Sequence, residues 1–459
     1  MAFSERFIRI FRTLLPAPFT IAVGLTAVTF WLAFLFTRPD DVGTGAYVLT
    51  LLEGWESGLW TNGLMVFALQ MMLMLVLGHV LALTGPVNRL IEWVVGACTT
   101  TPRAAATVTF LTVAVALFNW GLGLIFGAIL ARKVGEHAAR HGWSLNYPLI
   151  GAAGYSGLMV WHGGISGSSL TKVAEEGHIR EMMASHYTES KLAELPAAID
   201  YLQTVFSSTN LTISLALLVL LPLCMYWLAG KLPATPLNLQ PNTLTDALPP
   251  KPERGAEQLD HARWPALLFG LIVLATVGYK MFLKPGGTFL GYWNPNNINF
   301  LLLGLALVMH GNFYRFLKAV DAAIAGSSGI LIQFPLYFGI MGIMTSSGLV
   351  HQLSGLFVEL SRATAHPATT YPLLTFVSAG LVNIFVPSGG GQWAVQGPII
   401  VQAAQELGVS LPKSIMAMAY GDQLTNMLQP FWALPLLGIT GLRAKDILPY
   451  TLFLMLLGA

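Results

Sequence analysis

The chain has 459 residues, of which 54% are hydrophobic and only 10% charged, with a formal net charge of +2 and a mean hydropathy of +0.64. Soluble domains carry roughly 25% charged residues, so this composition excludes an ordinary soluble fold and points to an all-α polytopic membrane protein. Nucleic-acid binding has no support in so balanced a charge, and apolar runs continuous over about 20 residues argue against the alternating segments of a β-barrel. The 46 glycines, 26 prolines and 12 tryptophans suit helices that approach closely, break, and anchor at interfaces. Cys98 and Cys224 stand far apart in apolar surroundings and are expected to be packing residues.

In chain order, MAFSERFIRIFRTLLPAPFT places Arg6, Arg9 and Arg12 before an apolar run with no small-residue cleavage site, which predicts an amphipathic cytoplasmic lead. Spans are predicted at 18–37, 63–84, 104–118, 147–162, 206–229, 264–283, 298–311, 323–345, 370–386, 413–440 and 447–459. Several are shorter than the ~20 residues a straight crossing needs. Those at 104–118 and 370–386 run into glycine-rich patches, GLGLIFGAIL and PSGGGQW, before an apolar return. Interrupted segments at corresponding places mark a binding site built from discontinuous helices.

The correspondence extends further. Gln70 matches Gln333, Gly85 matches Gly348, Pro102 matches Pro367, Asn119 matches Asn383 and Tyr155 matches Tyr420, always 263 to 265 residues apart. This predicts a duplication: 1–62 as lead, first span and interfacial segment; 63–230 as the first repeat; 231–297 as cytoplasmic linker and connecting span; 298–459 as the second repeat. Counting Lys and Arg in loops puts Arg89, Arg103, Arg132, Lys133, Arg140, Lys251, Arg254, Arg315, Lys318, Arg443 and Lys445 with the N-terminus on the cytoplasmic side. Arg180, Lys191, Lys280, Lys284, Arg362 and Lys413 fall outside. That distribution requires Gly121–Ala131 to enter from and return to the cytoplasm, and PSGGGQW to do the same from outside. The repeats are therefore expected to be inverted, each with a re-entrant hairpin and a broken helix.

Asn383–Trp393, NIFVPSGGGQW, interrupts helix where hydrocarbon is expected, and unpaired backbone groups at that depth are tolerated only when protein or a water-filled cavity covers them. It is predicted to be a re-entrant turn lining a site. Asp422, inside SIMAMAYGDQLTNMLQ, is expensive in lipid and should face a polar cavity with Gln423, Asn426 and Gln429. It is expected to hold a coupling cation or proton; a carboxylate satisfied by neighbouring N–H groups is the structural alternative. His162 suits a histidine bonded within a glycine turn as well as a proton carrier. His79 and His310 lie near span ends as structural residues, and Gln70 and Gln333 are expected to bridge helices. Thr171–Ala198, with Glu175, Glu176, His178, Glu181, His186, Glu189 and Glu194, is expected to be an external amphipathic helix or loop whose acidic face is solvated rather than metal-binding. Leu232–Arg263, rich in Pro and Asn, is a flexible linker.

The strings LFNWGLGLIFGAILAR, WHGGISGSS, FVPSGGGQWAVQGPII and MAYGDQLTNMLQPFWALP resemble the signatures of the bacterial short-chain fatty acid transporter family, AtoE type, within the ion transporter superfamily. The resemblance covers essentially the whole chain. It implies uptake of small monocarboxylates such as acetoacetate or butyrate across the inner membrane, without a cofactor, by a homodimer in the lipid bilayer, with Na⁺ or H⁺ as coupling ion.

Such an anion needs converging donors and a small apolar pocket. Ser388, Gly389, Gly390, Gly391, Gln392 and Trp393 would supply a helix start with free N–H groups, a positive dipole end and side-chain donors. Asn119, Gly121 and Gly123 occupy the equivalent turn of the first repeat, and His162, Gly163, Gly164, Ser166, Ser168 and Ser169 the break that follows. Gln423 and Asn426 join Asp422 at the ion site. Trp120, Trp161 and Trp393 wall the tail or serve as packing anchors. Two other classes compete: Gly164-Ile165-Ser166-Gly167 near His162 matches the GxSG pattern of intramembrane serine proteases, and a channel for small anions would share the composition.

Overall fold

The computed structural model describes residues 16–184, 187–236, 239, 255–284, 292 and 294–459. The predicted lead with Arg6, Arg9 and Arg12, the linker residues Lys251 and Arg254, and His186 lie outside the described residues.

Seven helices among the described residues are long and apolar enough to cross a membrane. The chain opens with α1 (Pro18–Phe36) and α2 (Thr44–Leu59). The first half then runs α3 (Asn62–Ala82), α4 (Gly85–Gly96), a hairpin of α5 (Thr101–Phe118) and α6 (Trp120–Arg140), and a broken helix. That helix starts as α7 (Tyr147–Tyr155), continues through 3₁₀ turns at Ser156–Met159 and Trp161–Gly163, and resumes as α8 (Ser168–Val173). After α9 (His178–Met183) and α10 (Glu189–Glu194), α11 (Ser208–Ala229) closes the half. A two-residue antiparallel pair, β1 (Ser144–Leu145) with β2 (Thr235–Pro236), pins the end of this half.

Connecting elements α12 (Glu257–His261), α13 (Arg263–Gly278), α14 (Pro295–His310) and α15 (Phe313–Ile324) lead to a second half with the same order of parts. It comprises α16 (Ser328–Ser346), α17 (Leu349–Arg362), a hairpin of α18 (Pro367–Phe385) and α19 (Gly389–Glu406), and a broken helix. The break is a 3₁₀ turn at Asn426–Leu428 between α20 (Leu411–Thr425) and α21 (Pro430–Thr440); α22 (Ala444–Gly458) ends the chain.

The sequence dictates these parts locally. Pro102 and Pro367 stand in the first turns of α5 and α18, where a missing N–H costs nothing. Helices α4 and α17 are amphipathic: Ile91 and Val95 on one, Leu349, Val350, Ser354, Val358 and Ser361 on the other, turn inward. The outer helices show apolar side chains where lipid would lie, among them Trp31, Leu35 and Phe36 on α1, Leu215, Val219 and Leu223 on α11, and Leu268, Leu271 and Ile272 on α13. The broken helices and the inner faces of the hairpins form the buried interior, while Phe110 on α5 and Leu373, Val377 and Leu381 on α18 stay exposed.

Two expectations need correction. Gly121–Ala131 is no turn: it is continuous helix within α6, and the hairpin reverses at Asn119 alone. Gly121 and Gly123 pack the hairpin instead, because a Cβ there would lie 2.8 Å from Met74 Sδ and 2.7 Å from Ala116 of α5. Likewise the triple glycine is the first turn of α19, and the reversal occurs at Val386–Ser388. In both hairpins the polar capping residue, not the glycines, stops the backbone from continuing as helix.

Candidate functional site

Both hairpin tips are made the same way. Asn119 is extended (φ −148°, ψ 121°), and its Oδ1 accepts from the Leu122 N–H at 2.9 Å, capping α6. Ser388 is extended (φ −156°, ψ 107°), and its Oγ accepts from the Gly391 N–H at 3.2 Å, capping α19. Each cap satisfies one of the donors a helix leaves open at its start. Ser166 Oγ accepts from the Trp120 N–H at 3.0 Å, tying the first tip to the first broken helix.

The two broken helices meet through polar pairs. His162 Nδ1 hydrogen-bonds Asp422 Oδ2, and both side chains are fully buried. Ser169 approaches His162 Nε2 with its backbone N–H at 3.1 Å and its hydroxyl at 2.7 Å. An amide N–H can only donate, so Nε2 carries no proton and Nδ1–H is the donor to Asp422. Gln423 Oε1 accepts from the Gly163 N–H at 3.0 Å, while Asn210 Nδ2 donates to the Gly163 carbonyl at 2.8 Å.

The tyrosines that share a register also share a task. Tyr155 OH, on the first broken helix, donates to the carbonyls of Asn426 (2.7 Å) and Gln429 (3.0 Å) at the second break. Tyr420 OH, on the second, donates to Asn210 Oδ1 at 2.9 Å, and Asn210 holds the first break. Backbone freed at the second interruption is thus satisfied in part by the opposite half, and at the first by Gln423 of the opposite half together with Asn210, which Tyr420 holds.

Helix α19 begins directly on this network. A Cβ on Gly389 would lie 2.6 Å from the Trp161 ring, 2.8 Å from His162 Cε1 and 2.9 Å from Asp422 Oδ2, so only glycine lets the tip descend this far. Gly390 is exposed beside Ser168, and Ser166, Ser168 and Ser388 are partly open. Partly exposed polar groups therefore lie close to a buried carboxylate. To one side Trp120, Trp161 and Trp432 cluster with centroids 5.2 to 6.2 Å apart, joined by Phe67. Phe334 and Phe431, stacked at 3.9 Å, extend the aromatic wall.

Several predicted residues sit elsewhere or are already engaged. Trp393 is buried with its indole N–H on His178 Nε2 at 3.0 Å. The side-chain donor expected of Gln392 is spent on the Ala379 carbonyl and Gln396 Oε1 at 2.9 and 2.7 Å. Asn426 Oδ1 accepts from Asn383 Nδ2 at 2.7 Å. Ser166 is not the partner of His162; Ser169 is. Sequence reasoning passed over Asn210, a polar residue near the start of an apolar span, and Trp432, whose signal was its place in QPFW just after the second break. Gln70 bridges α3 and α14 as expected, with Nε2 on Asn296 Oδ1 at 2.9 Å, and His310 holds the Val80 carbonyl at 2.9 Å.

A helical scaffold with, among the described residues, seven helices long and apolar enough to cross a membrane, around a buried polar centre where two hairpins and two broken helices converge, defines a multi-pass membrane protein. Residues 2–459 match the family described as "Short chain fatty acid transporter". The chain belongs to that family. It is 34% identical over 447 residues to the Escherichia coli (strain K12) protein named "Putative short-chain fatty acid transporter", covering 96% of this chain and 93% of that one. A protein of the same name from Haemophilus influenzae is 34% identical over 441 residues, 95% and 92% of the two chains. Among solved structures, the YdaH transporter of Alcanivorax borkumensis aligns over 96% of both chains at 16% identity with a TM-score of 0.46. MtrF of Neisseria gonorrhoeae aligns over 98% of this chain and 96% of its own at 13% identity, also with a TM-score of 0.46.

Proposed function

We propose that the protein is a secondary carrier that takes up short monocarboxylates, such as butyrate or acetoacetate, across the bacterial inner membrane by cation-coupled alternating access. The observation that carries this reading is the placement of the exposed Gly390 and the partly exposed Ser168 and Ser388 beside the buried pair of His162 and Asp422. The first N–H groups of α19 and the positive end of its dipole suit one carboxylate, and the serine hydroxyls add donors. Trp161 and the neighbouring aromatics offer a wall for a tail of a few carbons. Two buried indole N–H groups, on Trp161 and Trp432 of this aromatic cluster, have no partner among the described residues.

In this reading the two halves are inverted repeats, the hairpin tips and broken helices meet near the midplane, and rocking of one half against the other exposes the site to each side in turn. The working unit is a homodimer with its N-terminus in the cytoplasm. Purified protein in proteoliposomes loaded with unlabelled butyrate should take up labelled butyrate faster than protein-free vesicles, with saturation. Such counterflow identifies a carrier; flux that neither saturates nor shows counterflow would indicate a channel and sink the proposal.

A further inference from the structure

We infer that Asp422 Oδ1 is where the coupling proton binds, so that one proton and one carboxylate anion move together; this rests on the carrier reading above. The carboxylate is fully buried, and only one of its oxygens is engaged. Oδ2 accepts from His162, while Oδ1 has no hydrogen-bond partner among the described residues. An ionised carboxylate in that position is a buried charge with half its hydrogen-bonding capacity unfilled, a costly state.

Histidine does not relieve it by taking a second proton. Ser169 aims its backbone N–H at Nε2, and a protonated Nε2 would face that N–H donor head-on. His162 is therefore a fixed neutral donor that orients the carboxylate. The vacant position for a proton is Oδ1.

Unwound carbonyls at a helix break are the usual ligands of Na⁺ in discontinuous helices. Here several already accept from protein donors: Asn383 Nδ2 on the Asp422 carbonyl (2.7 Å), Tyr155 OH on those of Asn426 and Gln429, and Thr451 Oγ1 on that of Met427 (2.5 Å). The side-chain oxygens of Asn383, Gln392 and Gln429 have no partner among the described residues, so the choice between a proton and Na⁺ is made by the ion dependence of transport.

Other titratable groups on the elements around α20 are occupied elsewhere. Tyr371 of α18 bonds the Ile400 carbonyl, Glu406 of α19 pairs with Arg362, and Lys172 of α8 pairs with Glu175 at the surface. On α22, Asp446 pairs with Arg443, Tyr450 reaches Asn146, and Lys445 lies in the first turn. On α20 itself, Lys413 is exposed in the first turn and Tyr420 bonds Asn210. His162 is the titratable group in contact with the carboxylate.

Coupling follows from distance. The first turn of α19 rests against Asp422 Oδ2, so an anion docked there meets a like charge within a residue's reach. Like charges in one site disfavour each other. Proton uptake, Asp422–COO⁻ plus H⁺ giving Asp422–COOH, removes the repulsion, and release of the anion on the other side returns the proton. One positive and one negative charge cross together, so the cycle moves no net charge.

The test uses the full chain in proteoliposomes and labelled acetoacetate, with protein-free vesicles subtracted. An inward proton gradient without Na⁺ should drive accumulation, and clamping the membrane potential at either sign should leave the rate unaltered. Asp422→Asn should drop gradient-driven accumulation to background while exchange of labelled for unlabelled substrate persists. His162→Ala should lose accumulation; His162→Gln, whose amide can both donate to Asp422 and accept from Ser169, should retain it at a reduced rate. Accumulation driven by Na⁺ but not by protons, or full accumulation in Asp422→Asn, would overturn the inference and leave the carrier standing. Abolition by His162→Gln would move the proton to the imidazole and equally overturn it. Should Asp422→Asn also lose exchange, the wild-type cation dependence and the two His162 variants still decide. Absence of exchange in the wild type would instead defeat the carrier reading itself.

Discussion

Asn119 and Asn383 share a register in the sequence and have different jobs in the structure. Asn119 caps a helix; Asn383 sits inside α18 and sends its amide to the Asp422 carbonyl and Asn426 Oδ1, both at 2.7 Å, while its own carbonyl accepts from Gln429. The capping duty in the second half falls to Ser388, five residues later, because the chain there runs through Val386 and Pro387 before α19 starts. The two asparagines should therefore respond differently to truncation. Asn119→Ala removes a cap and should cost about 1 kcal/mol. Asn383→Ala strands buried carbonyl and amide groups at the second break and should cost roughly 1–3 kcal/mol per group left unpaired. Thermal unfolding in detergent, with each variant compared to the parent, should show the larger drop in midpoint for Asn383→Ala; equal drops would mean that the network around Asp422 contributes little.

At the scale of elements, the segment from α8 to α10 has the amphipathic character its sequence suggested: Glu175, Glu176, Glu181, Glu189 and Glu194 are exposed. Leu170, Val173, Ile179, Met183, Leu195 and Ile199 are buried, packed with Ile400, Val401, Ile415 and Met416 of the second half. Arg180 secures the fold-back by donating to the Leu195 carbonyl at 3.1 and 2.7 Å. The polar attachment to α19 is the Trp393 N–H on His178 Nε2. Burial holds His178 below the ordinary 6.5, nearby Lys172 adds to that, and Glu175 and Glu181 oppose it. Docking therefore keeps the imidazole neutral. Above pH 6.5 the free and docked forms are both unprotonated and the attachment is intact; as pH falls through that value the undocked form gains a proton the docked form resists, and the attachment weakens. Amide protection in 178–183 and 189–199, corrected for the intrinsic pH dependence of exchange, should fall between about pH 7.5 and about pH 5, and His178→Gln, which keeps an acceptor, should flatten that response. Corrected protection that is equal at both values in the parent would contradict this.

The same segment shows where legibility ends. Hairpins and breaks were readable because each is a local failure of an apolar run: a capping residue, a proline, a buried Asp. His162, Asp422 and the region of Ser388 were singled out on that ground. Asn210, Trp432 and what the inward face of the α8–α10 segment packs against were not, since their meaning lies in what distant parts of the chain bring to them. Glycine was the misleading signal. In Gly121, Gly123 and Gly389 it answers to close packing between helices and not to a change of chain direction.

For the molecule as a whole, the repeated order of parts bears on how the halves are oriented. Each hairpin hands over to its broken helix through a glycine in the left-handed region: Gly142 (φ 67°) after α6 and Gly408 (φ 63°) after α19. Two residues beyond each stands an exposed serine, Ser144 and Ser410. If the repeats are inverted, these two equivalent positions open to opposite sides of the membrane, Ser144 to the cytoplasm with Arg140 and Ser410 to the outside with Lys413. The arrangement follows from the charges, since Arg132, Lys133 and Arg140 precede one turn whereas the other has Lys413 alone on its far side. Ser144→Cys and Ser410→Cys, each in a chain lacking Cys98 and Cys224, place one thiol at each position. A maleimide that does not cross membranes should label Ser410→Cys in cells whose inner membrane is intact and reach Ser144→Cys only after that membrane is opened. Labelling of both positions from one side would mean parallel repeats, and a single site at the meeting of the broken helices would then need some motion other than the rocking of one half against its inverted counterpart.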